Sequence, residues 1–216
     1  APATNVWTQK ADFAGGERYG AVGFSIGSKG YLGTGSDGES SFKDFWEYDP
    51  SSNIWMQKAD CGENQRKYAV GFSIGSKGYL GTGFKHNTSN TPYKDFWEYD
   101  PSINTWAQKA DFGGKERYSA VGFGIGSKGY LGTGTKGGGE YWEYDPYTNA
   151  WLKKADFGIT NRISAVGFSI GSKGYLGTGQ ENGYKKDLWE YDPTNNTWTQ
   201  KADFGGTARY QAVGFS

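Results

Sequence analysis

The sequence predicts an all-β protein in which four copies of one unit stack side by side. The first observation is self-similarity, because the segment WEYDP recurs four times and a second tryptophan follows it each time. Starting from Trp7, which lies in the same NxWxQKAD context, these tryptophans are spaced 48, 51, 45 and 47 residues apart. A period of this length is typical of solenoids, propellers and arrays, whose single units cannot bury an apolar face alone.

The second observation is a composition that favours an aromatic β-core. Aromatic residues make up 18% of the 216 residues, although all hydrophobic residues together reach only 35%. The 36 glycines fall at fixed offsets in each copy, which indicates turns and close backbone contacts rather than disorder. No segment shows the 3.6-residue apolar period of a helix.

Each copy divides into four short strands. The first is AVGFSIG at 21–27 and the second is KGYLGTG at 29–35, with the tight turn GSKG between them. The third is the FWEYD segment, and the fourth begins at the second tryptophan. The connection Asp-Pro-x-x-Asn joins these last two, because its Asp and Asn side chains can bond the local backbone. The other first strands begin at Ala69, Ala120 and Ala165.

The order of these residues resembles the Kelch repeat. In each copy a glycine-rich strand end precedes a tyrosine, six further residues and a tryptophan, and an arginine opens the first strand. Gly-Thr-Gly stands where Kelch repeats carry a glycine doublet. The aromatic pairs are Tyr48 and Trp55, Tyr99 and Trp106, Tyr144 and Trp151, and Tyr191 and Trp198. The resemblance implies a β-propeller whose blades are four-stranded antiparallel sheets around a central channel.

We therefore expect a Kelch-type β-propeller with four complete four-stranded blades, at about 18–60, 66–111, 117–156 and 162–203. Residues 5–12 match a fourth strand and residues 209–216 match a first strand, so both ends contribute partial strands to incomplete blades. Rings of the Kelch type usually hold more than four blades. We expect missing blades of a longer chain, or self-association with further copies, to complete the ring.

The charge balance argues against two classes of partner. Lys plus Arg and Asp plus Glu are both 23, so the net charge is zero, whereas nucleic acids and anionic membranes need a basic surface. No apolar run approaches the length of a membrane-spanning helix. We therefore expect neither nucleic-acid binding nor membrane insertion.

Residues for catalysis and metal binding are scarce. His86 is the one histidine, so a copper site like that of galactose oxidase, which resembles this chain only in scaffold, would lack its imidazole ligands. A Ser-His-Asp or Cys-His site would also depend on His86. Cys61 stands where the other copies have phenylalanine, which indicates a small apolar replacement. We expect no enzyme activity, no metal and no cofactor.

The four copies differ mainly in two sets of loops, which an up-and-down blade places at the same end. One set follows the second strand, at 36–43, 84–94, 135–139 and 180–186. The other precedes the first strand, at 13–17, 61–68, 112–116, 157–161 and 204–208. The GSKG and Asp-Pro turns at the opposite end are nearly constant. Because binding residues concentrate on loops held by a rigid scaffold, the varied rim is the expected binding site.

The arginines that open the first strands lie on this rim and admit two interpretations. They are Arg18, Arg66, Arg117, Arg162 and Arg209. An acid stands at the start of each third strand, at Asp44, Asp95, Glu140 and Asp187, and another closes each fourth strand, which predicts structural ion pairs with these arginines. Alternatively, some of them face the channel mouth and bind a ligand's carboxylate or hydroxyl groups through the planar guanidinium.

Loop residues of the varied rim complete the predicted binding site. Phe84, Tyr93 and Tyr184 are expected as exposed aromatics that stack on a sugar or a peptide, with His86 in the same loop as Phe84. The leading expectation is a non-catalytic module that binds a protein or a carbohydrate ligand. A structural or adhesive array is the alternative, and an enzyme is the least favoured class. The repeat wording resembles bacterial extracellular Kelch arrays, which implies secretion or the cell surface.

Overall fold

The computed structural model describes residues 6–85 and 91–215, which form a four-bladed β-propeller without helices in those ranges. Each blade is one antiparallel sheet of four strands whose spatial order follows the chain. The all-β prediction and the four-strand division of each copy are therefore confirmed. The predicted strands agree with the observed ones to within about one residue at most ends.

The strands of the first two blades are as follows. Blade 1 contains β1 Val22–Ile26, β2 Lys29–Gly33, β3 Phe45–Asp49 and β4 Ile54–Lys58. Blade 2 contains β5 Val70–Ile74, β6 Lys77–Gly81, β7 Phe96–Asp100 and β8 Thr105–Lys109.

The last two blades repeat this arrangement. Blade 3 contains β9 Val121–Ile125, β10 Lys128–Gly132, β11 Tyr141–Asp145 and β12 Ala150–Lys153. Blade 4 contains β13 Val166–Ile170, β14 Lys173–Gly177, β15 Leu188–Asp192 and β16 Thr197–Lys201.

The constant turns have the geometry that their sequence predicts. In blade 1, Ile26 pairs with Lys29 across the first hairpin, where Gly27 has a φ of 58°. At the Asp-Pro turn, Asp49 accepts a hydrogen bond from the Ser51 amide at 2.8 Å. Asn53, at the end of that turn, has a φ of 58° and accepts a hydrogen bond from the Tyr48 hydroxyl. The turn aspartates are therefore structural, as predicted.

Glycines allow the inner strands to approach closely around the channel. A Cβ atom built on Gly71 would lie 2.1 Å from Cγ1 of Val22 in the preceding blade. The equivalent distances from Gly122 to Val70 and from Gly167 to Val121 are 2.4 and 2.1 Å. No side chain fits at such distances, so the second position of the VGF segment in blades 2, 3 and 4 must be glycine for the blades to meet.

Aromatic rings interlock each blade with the next. Phe45 of blade 1 meets the rings of Tyr99 and Trp106 in blade 2 at centroid distances of 5.0 and 4.9 Å. The Trp106 indole also donates a hydrogen bond to the Ala59 carbonyl at 3.0 Å. The same contacts recur at both later junctions. Cys61 is fully buried and unpaired, and this burial raises the pKa of its thiol to about 12.

The aromatic pair of blade 1 differs from the other three pairs. Tyr99, Tyr144 and Tyr191 are fully buried, whereas Tyr48 is only half-buried because no blade covers its face. Phe13 supplies partial cover, with its ring 4.9 Å from that of Trp55.

The two end segments occupy repeat positions without forming strands. Residues 6–12 and 209–215 were expected as partial strands, but neither joins a sheet ladder. A strand requires a hydrogen-bonded neighbour, and the partner strands of these two segments do not exist among the described residues. Ala11 nevertheless donates to the Asn53 side chain at 2.9 Å, as the equivalent alanines do at later junctions.

We predict that the interlocking tryptophans carry much of the stability. Trp106→Ala should lower the free energy of unfolding by roughly 3 kcal/mol, because it removes an indole that packs on Phe45 and Tyr99. Trp7→Ala is the matched control, since Trp7 is 97% exposed and should change stability little. Urea denaturation of both variants measures the difference, and equal stabilities would show that the aromatic repeat does not hold the blades together.

Candidate functional site

The two sets of varied loops lie together at one end of the propeller, as predicted. The loop after the second strand contacts the segment that leads into the next blade, with bridges from Phe42 to Arg66 and from Lys185 to Arg209. The Gly35 amide also donates to the Arg66 carbonyl at 2.8 Å, which ties blade 1 to blade 2. Each loop is therefore held by backbone hydrogen bonds on both sides.

The rim arginines form buried ion pairs within their own blades. The Arg66 side chain is fully buried and donates to Oδ1 of Asp95 at 2.7 Å and to the Thr82 carbonyl at 2.9 Å. Arg18 donates to both carboxylate oxygens of Asp44, and Arg162 donates to both carboxylate oxygens of Asp187. Arg117 contacts Glu140 at 2.9 Å.

These pairs match the structural interpretation of the arginines. A guanidinium that is buried and already bonded to a carboxylate and a carbonyl has few donors left for a ligand. Arg66 also lies 5.0 Å from the ring of Tyr93, which covers it. The ligand-binding interpretation of Arg18, Arg66, Arg117 and Arg162 therefore gains no support from this geometry.

Arg209 is the exception among the five arginines. It is exposed, its guanidinium bonds only to Thr207 among the described residues, and it packs over the Phe204 ring at 4.7 Å. The acid that pairs with each other arginine lies directly before the third strand of the same blade, and no third strand follows Arg209 among the described residues. It remains open to a ligand or to another protein surface.

The channel mouth is edged by a chain of backbone hydrogen bonds that crosses every blade. The Tyr68 amide donates to the Gly20 carbonyl, and Ser119, Ser164 and Gln211 each donate to the preceding residue of the series. All five residues have φ between 51° and 64°, in the left-handed region. Such conformations are strained for side chains other than glycine and recur at functional positions.

A cavity of about 410 Å³ opens at this mouth. Its lining alternates alanines of the inner strands with the left-handed residues, and Tyr19 and Tyr68 supply its aromatic surface. The lining carries no charged side chain. The cavity therefore suits a neutral group that exchanges hydrogen bonds with hydroxyls and backbone atoms.

Beside the cavity lies a group of side chains that we call the mouth cluster: Tyr19, Lys67, Tyr68, Phe84 and Tyr118. Lys67 donates to the Tyr19 hydroxyl at 2.8 Å, and its ammonium lies 5.4 Å from the Phe84 ring. Phe84 in turn meets Tyr118 at 4.5 Å. The Lys67 hydrogen bond, with a second one from Ser36, lowers the pKa of Tyr19 below its ordinary value.

The predicted loop aromatics have three different environments. Phe84, which was expected to be exposed, is buried, because it inserts between Tyr68 and Tyr118. Tyr93 is half-buried over Arg66. Tyr184 is exposed, as expected, and stacks on Tyr210 at 4.9 Å. His86 lies outside the described residues.

Sequence reasoning missed Tyr19, Tyr68 and Tyr118 as site residues. A signal for them exists, because the position after each rim arginine is Tyr, Lys, Tyr, Ile and Tyr in successive copies. The next position varies as Gly, Tyr, Ser, Ser and Gln. These positions adjoin the constant AVGF segment, so the sequence suggests that they extend the first strand. The structure instead places a left-handed residue there.

Neither a metal-binding cluster nor a membrane-spanning helix occurs within the described ranges. Residues 6–85 and 91–215 contain no group of three or more His, Cys, Asp or Glu residues placed to hold a metal ion. The same ranges contain no helix of the length and apolarity needed to cross a membrane.

The comparisons with known proteins support the fold alone. No protein-family model and no curated protein sequence matches the chain. Among solved structures, the chain is similar to the structure of YjhT, with a TM-score of 0.84 and 17% sequence identity. That similarity covers 99% of this chain and 78% of YjhT. At this identity the match establishes a common β-propeller architecture.

We predict that Arg66 is a structural residue. Arg66→Ala should lower the free energy of unfolding by about 3–5 kcal/mol, because Asp95 would then be a largely buried charge without its partner. Arg209→Ala should have little effect, since Arg209 is exposed and pairs with no acid. Thermal and urea denaturation test the pair, and a stable Arg66→Ala protein would return this arginine to the list of ligand-binding candidates.

The same ion pair should make stability depend on pH. Burial alone would raise the pKa of Asp95, but the hydrogen bonds and charge of Arg66, together with the hydrogen bond from Trp97, hold this pKa below its ordinary value. A lowered folded-state pKa contributes stability above the unfolded-state pKa of about 3.9, and this contribution is lost as the pH falls through the folded-state value.

Asp95→Asn should therefore be less stable than the wild type at neutral pH, and the gap should narrow below about pH 4. Urea denaturation across this range measures the gap. A constant gap at all pH values would show that Asp95 does not titrate differently in the folded state.

Proposed function

We propose that the chain is a non-catalytic binding module of the Kelch type that recognises a protein or a glycan at the channel mouth and the surrounding varied loops. The observation that carries this proposal is the mouth cluster. Aromatic side chains from three successive blades converge there beside a cavity of about 410 Å³, at positions that vary between the copies.

The contacts that repeat in every blade and the residues at the channel mouth differ in a way that supports this assignment. Ion pairs, Asp-Pro turns and interlocking rings repeat from blade to blade, so each of them is explained by the fold. The residues after the rim arginines vary from copy to copy, so the repeated fold does not account for them. Tyrosine offers an apolar face together with a hydrogen-bonding group, which suits both sugar rings and peptide side chains.

The Kelch assignment itself rests on the regular spacing of Tyr48 and Trp55 and their equivalents, and on the arginine at each first strand. A secreted or cell-surface location is supported only by the resemblance of the repeats to bacterial extracellular arrays. No metal or cofactor enters the proposal.

A structural or adhesive array is the second candidate. The near identity of the four copies and the uniform rim of GSKG and Asp-Pro turns favour it, because a spacer needs regular stacking rather than an individual surface. An enzyme has the least support, since Asp44, Asp95, Glu140 and Asp187 on this rim are engaged by the rim arginines.

We predict that the mouth cluster carries ligand binding. Wild-type protein is first screened against a glycan array and a peptide library, and the best ligand is then measured by calorimetry. Tyr19→Ala should weaken that ligand at least about tenfold, since a central aromatic residue often contributes 1.4 kcal/mol or more. Tyr19 is 44% exposed, so the variant should remain folded.

Tyr147→Ala is the control for this test. Tyr147 is 96% exposed, but it lies in an Asp-Pro turn at the opposite rim and should leave binding unchanged. Equal affinities for both variants would remove the mouth cluster from the binding site. Failure of every ligand in both screens would favour the structural array.

A further inference from the structure

The outward face of blade 4 exposes residues that are buried at every internal junction. Ile170 is 58% exposed, whereas its equivalents Ile26, Ile74 and Ile125 are 7%, 7% and 8% exposed. Phe204 is likewise 45% exposed, although Phe112 and Phe157 are buried at the same repeat position. This face is therefore a blade-to-blade interface without its neighbouring blade.

A cavity also lies on this face. It has a volume of about 740 Å³, and its lining includes Val166, Phe168, Leu188 and Phe204. At internal junctions the equivalent space is filled by a leucine, a tyrosine and a tryptophan of the following blade, such as Leu176, Tyr191 and Trp198. The cavity thus has the lining that a following blade occupies elsewhere in the chain.

Blade 1 carries the matching face at the other end of the chain. Its Leu32, Tyr48 and Trp55 are equivalent to those filling residues and are only half-buried. A Cβ atom on Gly30 would meet only Tyr48, at 3.8 Å. At the equivalent Gly78, it would lie 2.6 Å from the Phe24 ring of the preceding blade. Blade 1 therefore has the same space over its glycine, which we call the glycine cradle, but no phenylalanine among the described residues fills it.

The end segments are close copies of each other. Residues 6–13 read VWTQKADF and residues 197–204 read TWTQKADF, while residues 18–25 and 209–216 differ only by Gly20 and Gln211. Gly214 already lies against blade 4 as an inner strand would, because a Cβ atom built there would be 2.5 Å from Val166. Residues 209–215 therefore hold a place that β1 of another copy fits equally well.

We infer that blade 1 of a second copy of this chain docks on the outward face of blade 4. In this head-to-tail junction, β1 of the incoming copy replaces residues 209–215 of the first copy. The exchanged segments have the same AVGF sequence, so the inner-strand contacts are conserved. The net gain comes from Leu32, Tyr48 and Trp55 entering the cavity, which repeats the interface already present three times in the chain.

The junction is heterologous, because it joins two different faces. Such contacts form closed rings when the rotation between copies closes and open chains when it does not. In both cases each copy uses one donor face, on blade 4, and one acceptor face, on blade 1. This asymmetry separates the inference from a symmetric dimer, in which one face would bind itself.

Two substitutions should each block one face while leaving the folding of the individual chain unchanged. Ile170→Arg places a charge on the donor face at an exposed position, and Ile103→Arg is its control because Ile103 is 66% exposed in an Asp-Pro turn. Gly30→Val fills the acceptor cradle, where a single chain has room for a side chain. Gly78→Val is the matched comparison and should destabilise folding, because it clashes inside an existing junction.

Light scattering after size-exclusion chromatography measures the assembly of the 216-residue chain. We expect wild type and Ile103→Arg to associate, and Ile170→Arg and Gly30→Val to be monomeric with unchanged circular dichroism. A mixture of Ile170→Arg and Gly30→Val should form a dimer of one copy of each, since one intact junction remains between them.

Three results would overturn the inference. They are a monomeric wild type at every concentration tested, association that survives both substitutions, and a mixture that stays monomeric. The ligand screen proposed above uses residues of the rim, so its failure would leave this measurement unaffected.

Discussion

The fold depends on how closely each blade approaches the next. Glycine at the second position of the VGF segment lets neighbouring inner strands meet at distances that exclude any side chain. That approach brings Phe45 within reach of Tyr99 and Trp106 and creates the same ring contacts at the later junctions. Aromatic rings are prominent members of the core clusters that join successive blades.

The rim is fixed by a second interaction, the buried arginine–carboxylate pair, and blade 3 shows how far this pair tolerates change. Asp44, Asp95 and Asp187 each accept hydrogen bonds from both an arginine and a tryptophan indole. Glu140 replaces the aspartate in blade 3, and there the Trp142 indole nitrogen is buried without a partner among the described residues. The loop beside Glu140, 135–139, is also the shortest of its set. The different acid and loop of blade 3 are therefore accompanied by the loss of one buried hydrogen bond at this rim.

Much of the fold could be predicted from the sequence, because repetition turns weak local signals into strong ones. The hairpins, the Asp-Pro turns and the tyrosine–tryptophan pairs each occur four times, so chance similarity is a poor explanation. The site was harder to predict. Phe84 belongs to a variable loop and looks exposed, and its burial depends on Tyr68, which is distant in the sequence, and on Tyr118, which comes from the next blade. The residue types do not indicate that Tyr68 and Ser119 have a left-handed backbone conformation.

The near identity of the repeats has two consequences for function. It confines the differences between copies to the two sets of varied loops and to the residues after each rim arginine, so selective recognition is expected at the channel mouth or the loops around it. It also makes the two end faces of the chain complementary, because each face is one half of an interface that the chain already forms internally. Stacking and recognition therefore use different surfaces of the same blade. The inner strands and aromatic rings are committed to neighbouring blades, which leaves the varied rim as the surface where this propeller can acquire a specific partner without altering its core.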